Sequence, residues 1–164
     1  MAPLVYFSGS ISGGRDDLAH YRALVAGLER RGVEVLAGQV TNDAIGSAGE
    51  TLSPEAVFER DLAWLERVAR SGGALVAEVT TPSLGVGYEI AAARYLYDIP
   101  VIALFRPSSG RRCSAMIAGA PGVRVLEWEP ERMEDAVDRV AALLRENEPE
   151  SPRPGRLDPF SGLQ

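Results

Sequence analysis

Three polar side chains fall where a purely apolar pattern would not place them: Tyr6, Asp61 and Glu89. Glu89 closes the segment Ser83-Leu84-Gly85-Val86-Gly87-Tyr88-Glu89, whose two glycines mark a helix start after an apolar strand. In the first turn of such a helix the positive end favours an ionised carboxylate. Beside an anion-binding turn that carboxylate makes chemical sense facing a sugar. The plainer alternative is a glutamate that only offsets the helix dipole. Asp61 shares one helix face with Val57, Leu65 and Val68, since positions four and three apart lie on the same side. An aspartate on a buried face needs a partner or a task. General acid or base work fits, as does a hydrogen bond to a neighbouring loop. Tyr6, inside the run Leu4–Ser8, is an aromatic with a polar tip, suited to packing or to orienting a partner.

Three further stretches suit an anion. Gly9-Ser10-Ile11-Ser12-Gly13-Gly14 follows the first apolar run and precedes a helix, so close backbone approach and free N–H groups coincide. It lacks the third glycine of a dinucleotide fingerprint and reads equally as a tight turn. Ser83 adds a hydroxyl to the second glycine-rich turn. Arg106 to Met116 carries arginines and serines, which fit anion contact or a solvated basic loop.

The elements that position these residues alternate. Strands are expected at Leu4–Ser8, Val33–Leu36, Ala74–Val79, Val101–Phe105 and Val123–Glu127. Helices are expected from Asp16 and Asp17 to Gly32, Pro54 to Arg70, Gly85 to Tyr97 and Pro130 to Glu146, with a short turn at Ser114–Ala118. Residues 38–53 read as a loop. This order predicts an α/β fold: a Rossmann-like or flavodoxin-like three-layer sandwich with a five-stranded parallel sheet. Ligands in such folds bind beyond the carboxyl ends of the strands, where the loops after strands one, three and four meet. Residues 1–146 form the expected catalytic domain. The Pro-, Glu- and Ser-rich stretch 147–164 is expected to be a disordered tail.

Composition removes several chemistries. The 164 residues, 46% of them apolar, suit one core. The 17 cationic residues are all arginine, so a Walker-type lysine and a Schiff base are excluded. The single histidine, His20, lies in a predicted helix far from any Gly-x-Ser-x-Gly elbow. The single Cys113 precludes an intramolecular disulfide and a multi-cysteine zinc site, and points to a cytoplasmic setting. No apolar run is long enough to span a membrane, and the start does not read as a signal peptide. A net charge of −6 argues against a nucleic-acid polymer as partner, though not against a small anion.

Together the ordered segments Tyr6–Arg15, Asp61–Leu65, Val76–Glu89, and Phe105 to Ile117 resemble the 2′-deoxynucleoside 5′-phosphate N-hydrolase family of the nucleoside 2-deoxyribosyltransferase superfamily. The resemblance runs from about Leu4 to Trp128. It implies cleavage of the N-glycosidic bond of a nucleoside 5′-monophosphate without cofactor or metal. It places the nucleophile on Glu89, the acidic helper on Asp61 and the strand-one tyrosine on Tyr6. Phosphate and substrate contacts fall on Ser10, Ile11, Ser12, Gly13, Ser83, Gly85 and Met116. A homodimer is implied, with Ser114 completing the neighbouring subunit's phosphate site. Departures are Ser12 where animal members carry arginine, and Gln39 and Phe58 where they carry histidine. A related cytidylate-hydrolase branch has phenylalanine at the tyrosine's place, so Tyr6 favours 2′-deoxy substrates. Alternatives are a ribonucleotide hydrolase, a deoxyribosyltransferase with a second base as acceptor, and a nucleotide-binding module without catalysis.

Overall fold

The computed structural model describes residues 2–10, 17–38 and 52–146. Its elements are β1 (Leu4–Ser8), α1 (Leu18–Arg30), β2 (Glu34–Leu36), α2 (Pro54–Arg70), β3 (Ala74–Glu78), α3 (Leu84–Tyr95), β4 (Val101–Phe105), α4 (Ala115–Ala118), β5 (Val123–Glu127) and α5 (Met133–Glu146). The five strands form one parallel sheet in the order β2-β1-β3-β4-β5. This is the flavodoxin-like order, whose reversal point lies between β1 and β3. Every residue of β1, β3 and β4 is buried, as expected of strands covered on both sides.

Alternation along each strand divides the core into two layers. Val5, Phe7, Val76, Ile102 and Leu104 pack under α1 and α5 with Leu24, Leu28, Val137 and Val140. Leu4, Tyr6, Leu75, Ala77 and Val101 pack under α2 and α3 with Leu65, Val68, Ile90 and Ala93. The expected three-layer sandwich is therefore present.

Local chemistry fixes the helix starts. Ser53 caps α2 by accepting from Ala56 N at 3.2 Å, with Pro54 at the first helical position. Ser83 caps α3, accepting from Val86 N at 3.4 Å, so that helix begins at Leu84, one residue before the expected Gly85. It ends at Tyr95, two residues short of the expected Tyr97. The closing segment opens with a 3₁₀ turn, Pro130–Arg132, before α5. Gly73 is obligatory: a β-carbon there would lie 1.9 Å from the Leu4 carbonyl oxygen, where α2 turns back into the sheet. Residues 39–51 of the loop expected at 38–53, the residues 11–16 and the tail 147–164 lie outside the described residues.

Candidate active site

Tyr6 and Ser8 leave β1 on the same face, because strand side chains alternate. That face looks toward α3, and both hydroxyls reach Glu89 in its second turn. Tyr6 donates to Glu89 Oε1 at 3.0 Å, and the Ser8 hydroxyl donates to Oε2. Each carboxylate oxygen thus has its own donor. Tyr6 is fully buried and stands edge-on to Trp64, ring centroids 5.3 Å apart, so its hydroxyl is held in place. Trp64 in turn carries the Arg60 guanidinium 5.0 Å from its ring centre. Arg60 donates from Nε and Nη2 to Asp61 Oδ1, both at 2.9 Å.

Asp61 is buried and faces Glu89 from α2. Burial is the leading reason that the Glu89 carboxyl is pushed up to about 7. The hydroxyls of Ser8 and Tyr6 work the other way, while the charge of Asp61 and a hydrogen bond between the two carboxyls raise it further. The ionised form expected from the helix dipole alone is therefore outweighed by desolvation and a like charge. Burial, reinforced by Glu89 and Asp61, also raises the Tyr6 phenol, which stays a neutral donor. Two carboxyls that share a site hold a proton between them and titrate as a pair.

No family model matches the sequence. Individual relatives do. The 5-hydroxymethyl-dUMP N-hydrolase of Mus musculus is 48% identical over 128 residues, covering 76% of this chain and 70% of the relative. Its Homo sapiens counterpart is 43% identical over 145 residues, 87% of this chain and 77% of the relative. The chain belongs to the 2′-deoxynucleoside 5′-phosphate N-hydrolase family. A solved CMP N-glycosidase from Clostridium botulinum shares the fold, with a TM-score of 0.57 at 16% identity, covering 86% of this chain and 99% of that one.

In this family member the other expected contacts divide into three groups. Ser83 and Ser114 line one concavity of about 240 Å³, together with Thr81, Val86, Gly87 and Ile117. Gly85 and Met116 are exposed; Met116 is 82% exposed. Ser10 is buried at the end of β1, and Ile11, Ser12 and Gly13 lie outside the described residues. Gly9 has a packing reason: a β-carbon would meet the Tyr21 ring at 2.9 Å.

Two features escaped the sequence reading. Ser8 closes the expected strand Leu4–Ser8 but is given no role by the sequence reading, although its two-residue spacing from Tyr6 places it on the same strand face. Arg106, read as anion contact or solvated loop, is turned inward instead. Its Nη2 donates to Asp17 Oδ1 at 2.6 Å, and its side chain is 13% exposed. Asp17, expected to serve the start of α1, makes no capping bond there. Among the described residues no group of three or more His, Cys, Asp or Glu side chains is gathered to hold a metal ion, and no helix is long and apolar enough to cross a membrane.

Proposed function

We propose that this enzyme hydrolyses 2′-deoxynucleoside 5′-monophosphates to free base and 2-deoxyribose 5-phosphate through a glycosyl ester on Glu89. The observation that carries the reading is the Tyr6–Glu89–Asp61 cluster at the carboxyl edge of β1 and β3. Below about 7 the carboxyl pair carries one proton. That proton rests on Glu89 and passes to Asp61 across the hydrogen bond the two carboxyls share; a Glu89 oxygen then attacks C1′ and the C1′–N bond breaks. The electron pair leaves with the base, which takes the Asp61 proton. Water then attacks C1′ and gives a proton to Asp61, and the ester bond to Glu89 breaks. This is the double displacement of a retaining glycosidase. Tyr6 and Ser8 hold the Glu89 oxygens in line and disperse their charge.

The phosphate sits against the Ser83 turn and the start of α3, whose free N–H groups and dipole attract an anion. Binding energy from this remote group positions C1′. Tyr6 at the nucleophile favours a 2′-deoxy sugar. The neighbouring Phe7 faces the opposite side of the sheet, 6.0 Å from the Tyr21 ring. Product analysis over the ribo- and deoxyribonucleoside monophosphates tests the reading. Free base and sugar phosphate from deoxy substrates are expected. Base exchange without hydrolysis, or preference for a ribonucleotide, overturns it.

The same reading extends to a cytoplasmic homodimer in which Ser114 completes the neighbouring phosphate site. Its support is an exposed apolar set, Leu84, Tyr88 and Tyr95 on α3 with Met116 close to Ser114; within one chain Ser114 also lines the Ser83 concavity, so the competing reading is that it serves its own site. Mixing Ser114→Ala and Glu89→Gln subunits is the test. A shared site regenerates one intact centre per mixed dimer and restores activity. Sites built within one chain stay inactive on mixing.

A further inference from the structure

On the opposite side of the sheet from Glu89, a second polar cluster ties four elements together. Glu78, the last residue of β3, is buried. It accepts from the Thr80 hydroxyl, from Thr80 N at 3.3 Å and from Trp128 Nε1 at 3.3 Å. The Thr80 oxygen in turn accepts from Arg106 N at 2.8 Å, fastening the end of β4. The Arg106 guanidinium lies 5.6 Å from the Trp128 ring centre and reaches the start of α1. There it donates to Asp17 Oδ1 at 2.6 Å and meets His20 Nδ1 at 2.8 Å. The circuit closes through Asp17 Oδ2, which accepts from the Thr81 hydroxyl at 2.8 Å. Thr80 and Thr81 are adjacent, so the ring Thr80–Arg106–Asp17–Thr81 is closed, with Glu78 attached to it at Thr80.

A buried ion pair is a poor source of net stability, because desolvation offsets attraction. Its effect here is geometric. Thr81 lies two residues before Ser83, the cap of α3, and both line the concavity that also holds Ser114. Thr81 is tied to Asp17 by its hydroxyl and Asp17 to Arg106 by the guanidinium, while the Arg106 backbone N–H holds Thr80 beside it.

We infer that Asp17 and Arg106 are positioning residues that hold the Ser83 turn in register for the substrate's phosphate. This rests on the proposed phosphate role of that turn. The clamp acts on the anchored anion and stands on the other face from the Glu89 pair. Its loss therefore weakens the phosphorylated substrate selectively.

The test compares the wild type with Thr81→Val, which keeps volume and the ion pair but removes one bond, and with Arg106→Gln. Each variant's fold is checked by circular dichroism. kcat and KM are measured on a deoxynucleoside 5′-monophosphate and on the same nucleoside without phosphate. For the monophosphate, KM is expected to rise about 10-fold in Thr81→Val, the scale of one lost bond to a charged group, and further in Arg106→Gln. kcat should hold within about twofold and the unphosphorylated nucleoside should be unaffected. An equal loss on both substrates, or none on either in a folded Thr81→Val protein, overturns the clamp. If the wild type cleaves neither substrate, the proposed function has failed instead. Calorimetric binding of the monophosphate then still decides the clamp: about 10-fold weaker in Thr81→Val upholds it, and unchanged binding refutes it.

Discussion

The carboxyl edge of the sheet carries two clusters of buried or half-buried acids, one on each face, and they are neutralised differently. At Asp17 burial works to raise the carboxyl, but the hydrogen bonds of Arg106 and Thr81 and the guanidinium charge outweigh it and hold the group below its usual value. At Glu89 two neutral hydroxyls face desolvation and a second carboxyl, and the group rises to about 7. One acid is locked as an anion in a bonded ring. The other is left short of positive charge and keeps a mobile proton. Burial alone thus does not make a carboxylate reactive. What matters is whether the fold supplies a cation to finish the neutralisation.

Breaking the reactive cluster gives the largest effects. Glu89→Gln keeps the shape and removes the nucleophile, so kcat should fall by at least about 10³-fold while substrate binding persists. Rapid-quench assays and calorimetry separate the two. Asp61→Asn removes the proton donor, for an expected loss of about 10²–10³-fold in kcat. It also removes the like charge that raises Glu89, so Glu89 should ionise at lower pH. In the wild type kcat/KM should fall as pH rises through about 7, because the pair then loses the proton needed by the departing base. A pH–rate profile that climbs through this range contradicts the shared-proton account. Tyr6→Phe removes one of two donors to Glu89 and should cost about 10-fold in kcat/KM, with a narrower preference for deoxy over ribo substrates.

Breaking the locked cluster should also register in stability, because removing one partner leaves the other charge buried and unpaired even where the intact pair adds little. A carboxyl held below its unfolded value stabilises the fold at pH above that value, and the benefit is lost as pH falls through the folded one. The denaturant midpoints of the wild type and Asp17→Asn should therefore differ at pH 7 and converge on acidification. Parallel curves at every pH would place the stabilisation elsewhere.

The two clusters also differ in how far the sequence disclosed them. Tyr6, Asp61 and Glu89 stood out because each interrupts a periodic apolar pattern, and the strand and helix periods that place them were clear. The apolar runs Leu4–Ser8, Val101–Phe105 and Val123–Glu127 marked their strands residue for residue. The degree to which Glu89 is desolvated depends on packing between α2 and α3, which no local pattern records, so the rise of its carboxyl to about 7 had no signal in the sequence. The Asp17–Arg106 ring was invisible for another reason. Its members, at positions 17, 80, 81 and 106, and the attached Glu78 come from the starts and ends of separate elements, where polar residues are ordinary. Only the parallel order of β1, β3 and β4 brings them together.

The claim that Glu89 forms a bond to C1′ is tested most directly by letting methanol compete with water during turnover. The configuration of the resulting methyl 2-deoxyriboside 5-phosphate can then be read by NMR. Two displacements at C1′ predict the β-methyl glycoside, the same configuration as the nucleotide. The α-methyl glycoside would mean a single displacement by solvent, and Glu89 could not be the nucleophile.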